Sequence, residues 1–140
     1  MEKILQEPQN YPPRKVYEPQ RLNDGKLVPQ LQYKAGVNRA ALSYEVGLTA
    51  NLQDFQLRLF DNSPTVASNY VVSKNGFNII TDTISATRVD DNDAPLPNDF
   101  SGRPWYVKAV TENKLVISEI FLDTQGRGLA IGCASPYHSP

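Results

Sequence analysis

Apolar residues between positions 37 and 59 fall at Val37, Ala41, Tyr44, Leu48, Leu52, Phe55 and Leu59, at spacings of 4, 3, 4, 4, 3 and 4. Steps of three and four keep one face of an α-helix in register, so the spacing predicts an amphipathic helix of about six turns. Asn38 is a capping residue near its start, and Asp61-Asn62-Ser63-Pro64 stops it. Gly47 weakens the middle by about 1 kcal/mol relative to alanine and marks the place for a break. From residue 66 to 83 the chemistry changes to that of strands. Val66, Tyr70, Val71 and Val72 precede Lys74-Asn75-Gly76, and Phe77, Ile79 and Ile80 follow it. Asn-Gly between β-formers predicts a hairpin.

Residues 85–101 are polar, with prolines at 95 and 97, and read as a loop. Pro104 suits the first turn of a short helix through Val110. Two further strands are expected at residues 115–122 and 129–134, joined at Asp123-Thr124-Gln125-Gly126-Arg127-Gly128. A long helix followed by a mostly antiparallel sheet makes the fold class α+β. No internal repeat is visible.

The front of the chain has neither period. Five of the eleven prolines lie within the first 29 residues. Residues 7–29 therefore read as an extended, polyproline-like arm with a turn at Asn23-Asp24-Gly25, pinned to a core by Tyr11, Val16, Tyr17 and Leu22. A loose tail is the alternative. The expected organisation is an arm over residues 1–36 and a domain over residues 37–140.

The length, 140 residues with 40% apolar and 21% charged, suits one core. A net charge of −1 provides no overall field toward phosphate backbones, which argues against a nucleic-acid partner. A lone cysteine, Cys133, excludes an internal disulfide and a multi-cysteine metal cluster. No stretch reaches the ~18 apolar residues that span a bilayer, and the first eight residues hold no apolar signal core.

Catalytic candidates are few. His138, the single histidine, lies two residues from the end of the chain, where solvated backbone is expected. Cys133 sits in an apolar strand, so a buried inert thiol is favoured over a Cys133–His138 pair. The run Asp90, Asp91 and Asp93 lacks the glycine and distal glutamate of a calcium loop and reads as a solvated loop. Gly126-Arg127-Gly128 reads as a hairpin turn. No catalytic, metal or cofactor site is expected. One segment stands apart: Arg103, Trp105 and Tyr106 gather a guanidinium, an indole and a phenol at a loop-to-helix junction. Arginine holds a carboxylate through two parallel hydrogen bonds, aromatic faces cover a small ligand, and a helix N-terminus adds partial positive charge. The competing reading makes Trp105 a core plug and Arg103 a surface charge.

The run Arg103-Pro104-Trp105-Tyr106-Val107-Lys108-Ala109, then 117–123, Gly128-Leu129-Ala130-Ile131 and Ser135-Pro136, resembles the Cache family of bacterial extracytoplasmic sensors, most closely the double-Cache type. That family's hallmark reads R-P-W-Y-x-x-A, a gap, a strand ending Y-x-D, a turn, and a strand running into S-P or K-P. Residues 60–72 and Asn75-Gly76-Phe77 are similar to its helix end, first strand and turn. The resemblance covers residues 37–136. It implies a PAS-like sheet with a long N-terminal helix packed on it, cupping a small ligand outside the cell. It also implies a membrane-anchored parent with a phosphatase, kinase, cyclase or chemoreceptor output, and a homodimer through the long helix. In the amino-acid-binding branch a tyrosine stands five residues before the arginine and another eighteen after it. Here those positions are Asn98 and Phe121, so carboxylate capture carries over and amine recognition does not. The expected ligand-binding residues are Arg103, Trp105, Tyr106 and Phe121, with Tyr70 and Asp123 from the strands. In the family a last strand follows the Ser-Pro end, so the arm or a neighbouring chain is expected to cover its place. A ligand-free dimerisation module and a small enzyme using Cys133 and His138 are the competing functions.

Overall fold

The computed structural model describes residues 2–16, 28–82, 88–92, 94–123 and 126–137. They fall into two compact units, Met1–Asp99 and Phe100–Pro140. The expected turn at Asn23-Asp24-Gly25, the pins Tyr17 and Leu22, Asp93 and His138 lie outside the described residues.

The first unit is built on three antiparallel strands, β1 (Val28–Tyr33), β2 (Ser68–Ser73) and β3 (Phe77–Asp82), in the order β1-β3-β2. The β2–β3 hairpin turns at Lys74-Asn75-Gly76, as the Asn-Gly signal predicts. Gly76 has φ +100°, and an added Cβ would lie 2.6 Å from Val37 Cγ1. Both the backbone and the space therefore require glycine there. β3 is central, paired on both edges, and all six of its residues are buried.

β1 lies inside the segment assigned from sequence to the arm. Pro29 hides it, but on an edge strand a residue without an N–H is tolerated. Register places Pro29, Leu31 and Tyr33 on one face beside Thr81, Ile79 and Phe77, and Gln30 and Gln32 on the other beside Ile80 and Asn78. Ahead of it, α1 (Glu2–Gln6) and a 3-10 turn at Pro8–Asn10 replace part of the expected extended arm.

The six-turn helix does not form as one piece. It is α2 (Arg39–Thr49), a 3-10 turn at Ala50–Leu52, and α3 (Gln53–Asn62). Asn38 caps α2 as expected, its Oδ1 accepting from the Ala41 N–H at 3.2 Å. The predicted stripe is buried only in part: Leu48 and Leu52 are buried, but Tyr44 and Phe55 are 61% and 64% exposed, while Val46, Ala50 and Gln56, which lie off the stripe, are buried. Three residues at 3.0 rather than 3.6 per turn advance the phase by about 60°, so a stripe extrapolated from α2 along a straight helix reaches solvent at Phe55. Two faces are covered instead. Val46 and Ala50 pack with Leu31, Phe77, Ile79 and Val16, whereas Leu48 and Leu52 pack with Ile4. Each large aliphatic or aromatic side chain buried here contributes about 1.5–3 kcal/mol.

Residues 12–16 lie along these helices. The Arg14 N–H donates to the Gly47 carbonyl at 2.8 Å, and the Arg14 guanidinium meets both Asp54 carboxylate oxygens, at 2.8 and 3.4 Å. Asn51 and Gln53 donate to the carbonyls of Pro12 and Lys15, at 3.1 and 3.2 Å. This part of the arm is ordered, with Val16 inserted into the core.

The second unit carries α4 (Pro104–Glu112), β4 (Val116–Ile117), β5 (Phe121–Leu122), β6 (Leu129–Ala130) and β7 (Cys133–Ala134). β4 pairs β7 and β5 pairs β6, both antiparallel. The two expected strands are thus one hairpin interrupted by a bulge. Residues 118–120 face only residues 131–132, and the Ser118 N–H donates to the Gly132 carbonyl at 2.8 Å across it. Asp123 N–H donates to the Gly128 carbonyl at 2.9 Å, joining the two ends of the expected connection, of which residues 124 and 125 lie outside the described residues. The whole is a small α+β fold with antiparallel sheets, without the single long helix that the Cache resemblance implies.

Candidate functional site

Pro104 opens α4 because its ring presets a helical φ and its missing N–H is one that the first turn does not use. Arg103, at the N-cap, is extended with φ −70° and ψ 138°, and its carbonyl accepts the first helical bond from Val107 at 3.0 Å. This geometry turns the Arg103 side chain out to solvent, where its guanidinium lies over the Phe100 ring, 5.8 Å from the centroid. Phe100 and Trp105 meet at 6.0 Å with their planes tilted by 41°, and Trp105 and Tyr106 meet edge to face at 6.1 Å. Trp105 and Tyr106 are half-buried. Trp105 is therefore neither a fully buried plug nor a free surface ring, but the centre of a short aromatic row that ends at a cation.

Arg103 forms no ion pair among the described residues. A guanidinium over a ring keeps its five in-plane donors available, and the first turn of α4 adds partial positive charge beside it. The arrangement is chemically suited to take a carboxylate edge-on while the aromatic row shields one side. Phe100 is the member that sequence reading missed. Its signal was local, since Arg103 N–H donates to the Phe100 carbonyl at 3.0 Å in the turn that precedes the helix.

The other expected ligand residues are placed elsewhere. Phe121 is on β5, opposite Ala130, with its ring edge near Gly132. Asp123 is held by Arg127 at 2.8 Å, four residues on, within the turn, so its carboxylate already serves a cation of its own hairpin. Tyr70 belongs to the first unit, on β2 opposite Ile80. The structure brings Arg103, Trp105 and Tyr106 together with Phe100, and gives Phe121 and Asp123 separate surroundings on the hairpin.

Asn98, which stands where a tyrosine stands in the amino-acid-binding branch, serves the first unit. Its side chain donates to Gln32 Oε1 at 3.0 Å, its N–H donates to the Tyr33 carbonyl at 2.9 Å, and its own carbonyl accepts from Asn78 at 3.3 Å. It is part of a polar layer under the sheet. Arg88 donates to Gln30 Oε1 at 2.8 Å and pairs with Asp82, and all three are buried. Gln32 donates to the Leu96 carbonyl at 3.3 Å. Charges removed from water at this depth persist only when paired and hydrogen-bonded, so this layer fastens residues 88–98 to the sheet in one register.

The remaining candidates are settled by their surroundings. Cys133 is exposed, which corrects the expectation of a buried thiol: it stands opposite the exposed Ile117 on one face of the β4–β7 ribbon, while Val116 and Ala134 take the covered face. Asp90 Oδ1 accepts from the N–H groups of Asn92 and Ala94, at 2.8 and 2.9 Å, so this carboxylate shapes its own loop. Among the described residues there is no group of three side chains able to hold a metal, and no helix long and apolar enough to cross a membrane.

No protein-family model, curated protein or solved structure matches this chain.

Proposed function

We propose that the chain is the ligand-sensing ectodomain of a bacterial membrane signal-transduction protein of the Cache type. It binds a small carboxylate-bearing molecule and signals to a cytoplasmic output domain. The observation that carries this reading is Arg103, a solvent-facing guanidinium at the start of α4, backed by the row Phe100–Trp105–Tyr106 and without an ion-pair partner among the described residues. The motif around it and the antiparallel α+β architecture support the reading. The ligand carboxylate would occupy the guanidinium edge, and Tyr106 and Trp105 would cover its carbon skeleton. No step of bond chemistry is involved, and catalysis is assigned to no residue of this chain.

The test is thermal unfolding in acetate, lactate, pyruvate and succinate. At 100 times its Kd, a ligand bound only by the native state adds about 2.7 kcal/mol. At least one acid is expected to raise Tm, and Arg103→Ala is expected to abolish the shift. An unchanged shift in the variant, or none with any of the four acids, defeats the carboxylate assignment.

A second reading, a ligand-free pairing module, is favoured by one observation. Ile117, Ile120, Leu122, Leu129 and Ile131 of the second unit are 61–78% exposed, an apolar surface that a second copy of the chain would cover.

A further inference from the structure

A groove of about 550 Å3 lies in the first unit, between the N-terminal segment, α3 and β2. Ile4, Tyr11, Leu52 and the largely exposed Phe55 give it apolar and aromatic walls, and Lys3 stands on its rim. Its volume is within the range of small-molecule sites. Its polar lining includes Asn51, Asn69 and Gln56, and of these Gln56 is only 1% exposed. Gln56 Nε2 donates to the Ile79 carbonyl at 3.3 Å and to Asn69 Oδ1 at 3.4 Å. Both partners are acceptors, so the amide orientation is determined and Oε1 is the atom left over. Gln56 Oε1 is buried and has no hydrogen-bond partner among the described residues. The same holds for Thr81 Oγ1, on the strand residue paired with Asn69. An unmet buried acceptor is destabilising, and an aliphatic side chain at position 56 would avoid the penalty.

We propose that this groove is a second ligand site. It takes a flat apolar ring that carries an N–H donor for Gln56 Oε1 and an anionic substituent for Lys3. The ring packs against Phe55 and Tyr11, a turn of the shielded Gln56 side chain brings its orphan acceptor to the N–H, and the anion stays at the wet rim beside the ammonium group. The site lies wholly within the first unit and stands independently of the role given to Arg103.

Indole-3-acetate has all three features and is the probe, titrated calorimetrically into the full 140-residue chain. Saturable one-to-one binding is expected. 1-Methylindole-3-acetate, in which N–CH3 replaces the N–H donor, should bind at least about tenfold more weakly, the worth of one buried hydrogen bond. Lys3→Gln should lower the affinity for indole-3-acetate several-fold while leaving that for indole unchanged. Phe55→Ala, at an exposed position that leaves the core intact, should weaken both. Arg103→Ala removes the carboxylate site proposed above and should leave one-to-one binding of indole-3-acetate with the same dependence on the N–H, Lys3 and Phe55, which separates the two sites. The proposal is overturned if indole-3-acetate does not bind, if N-methylation costs nothing, or if binding is lost in Arg103→Ala rather than in Phe55→Ala.

Discussion

Gly47 shows how a residue's meaning depends on what approaches it. In an isolated helix, alanine at this position would be favoured by about 1 kcal/mol. Here an added Cβ would lie 2.7 Å from Pro13 Cβ and 3.3 Å from Pro13 Cα, because residues 12–16 run directly over the helix. Gly47→Ala is therefore expected to reverse the propensity, lowering stability by about 1–3 kcal/mol as an overpacked contact does. Urea unfolding, with proteolysis at residues 12–16 as a second readout, checks it, and a stabilised variant would show that the arm yields freely. Arg88 and Asp82 pose the complementary case. Arg88→Met removes the guanidinium that serves the buried Asp82 and Gln30, and the expected loss is about 3–5 kcal/mol. The double variant Arg88→Met with Asp82→Leu should recover much of that loss, since it also removes the buried charge that Arg88 neutralises. Equal losses in the two variants would mean that packing, rather than charge, dominates there.

At the scale of elements, the arm is fastened by polar contacts that respond to pH. The Asp54 carboxyl is held below its ordinary range, first by the hydrogen bond from Arg14, which outweighs the opposing desolvation, and then by the nearby charges of Arg14 and Arg58. A carboxyl lowered in the folded state stabilises fully above its unfolded pKa, near 3.9, and loses that contribution as pH falls through the lower folded value. Both side chains are substantially exposed, at 43% and 60%, so the pair is worth about 0.2–1 kcal/mol at low salt. The stability difference between the native chain and Asp54→Asn should accordingly be constant from pH 7 to about 5, shrink through the acid range and vanish below it. A difference that grows on acidification would contradict this sign. Helix and hairpin were legible from the sequence because their signals are local: Asn38 caps, Asn75-Gly76 turns, and Pro104 starts a helix wherever the rest of the chain lies. β1 was not, because Gln30 and Gln32 look solvent-facing until Arg88 and residues 96–98 cover them. The separation of α2 from α3 was half visible, in Gly47, but the break lies three residues later as a 3-10 turn.

At the scale of the molecule, the two units differ in how well they enclose their apolar residues. The first buries two clusters against a three-stranded sheet. The second rests on paired two-residue strands and exposes a broad aliphatic surface, and a two-stranded ribbon is marginal on its own. Self-association through this surface is the expected outcome of the pairing reading. Sedimentation velocity should show a concentration-dependent dimer that Leu122→Lys with Leu129→Lys abolishes, while a monomer at all concentrations would leave that reading without support.

The amino-acid sequence by itself determined much of the local structure of this protein: where α2 and α4 begin, where the hairpins turn, and the chemical grouping of Arg103, Trp105 and Tyr106. Those depend on backbone sterics, capping and spacing within a few residues, which no distant contact needs to supply. Only the tertiary structure decided which helix face is buried, that residues 28–33 enter the sheet, that Cys133 faces solvent, and that Gln56 keeps an unmet acceptor beside a groove. Burial is a property of what covers a residue, and the covering segments lie tens of residues away in the chain.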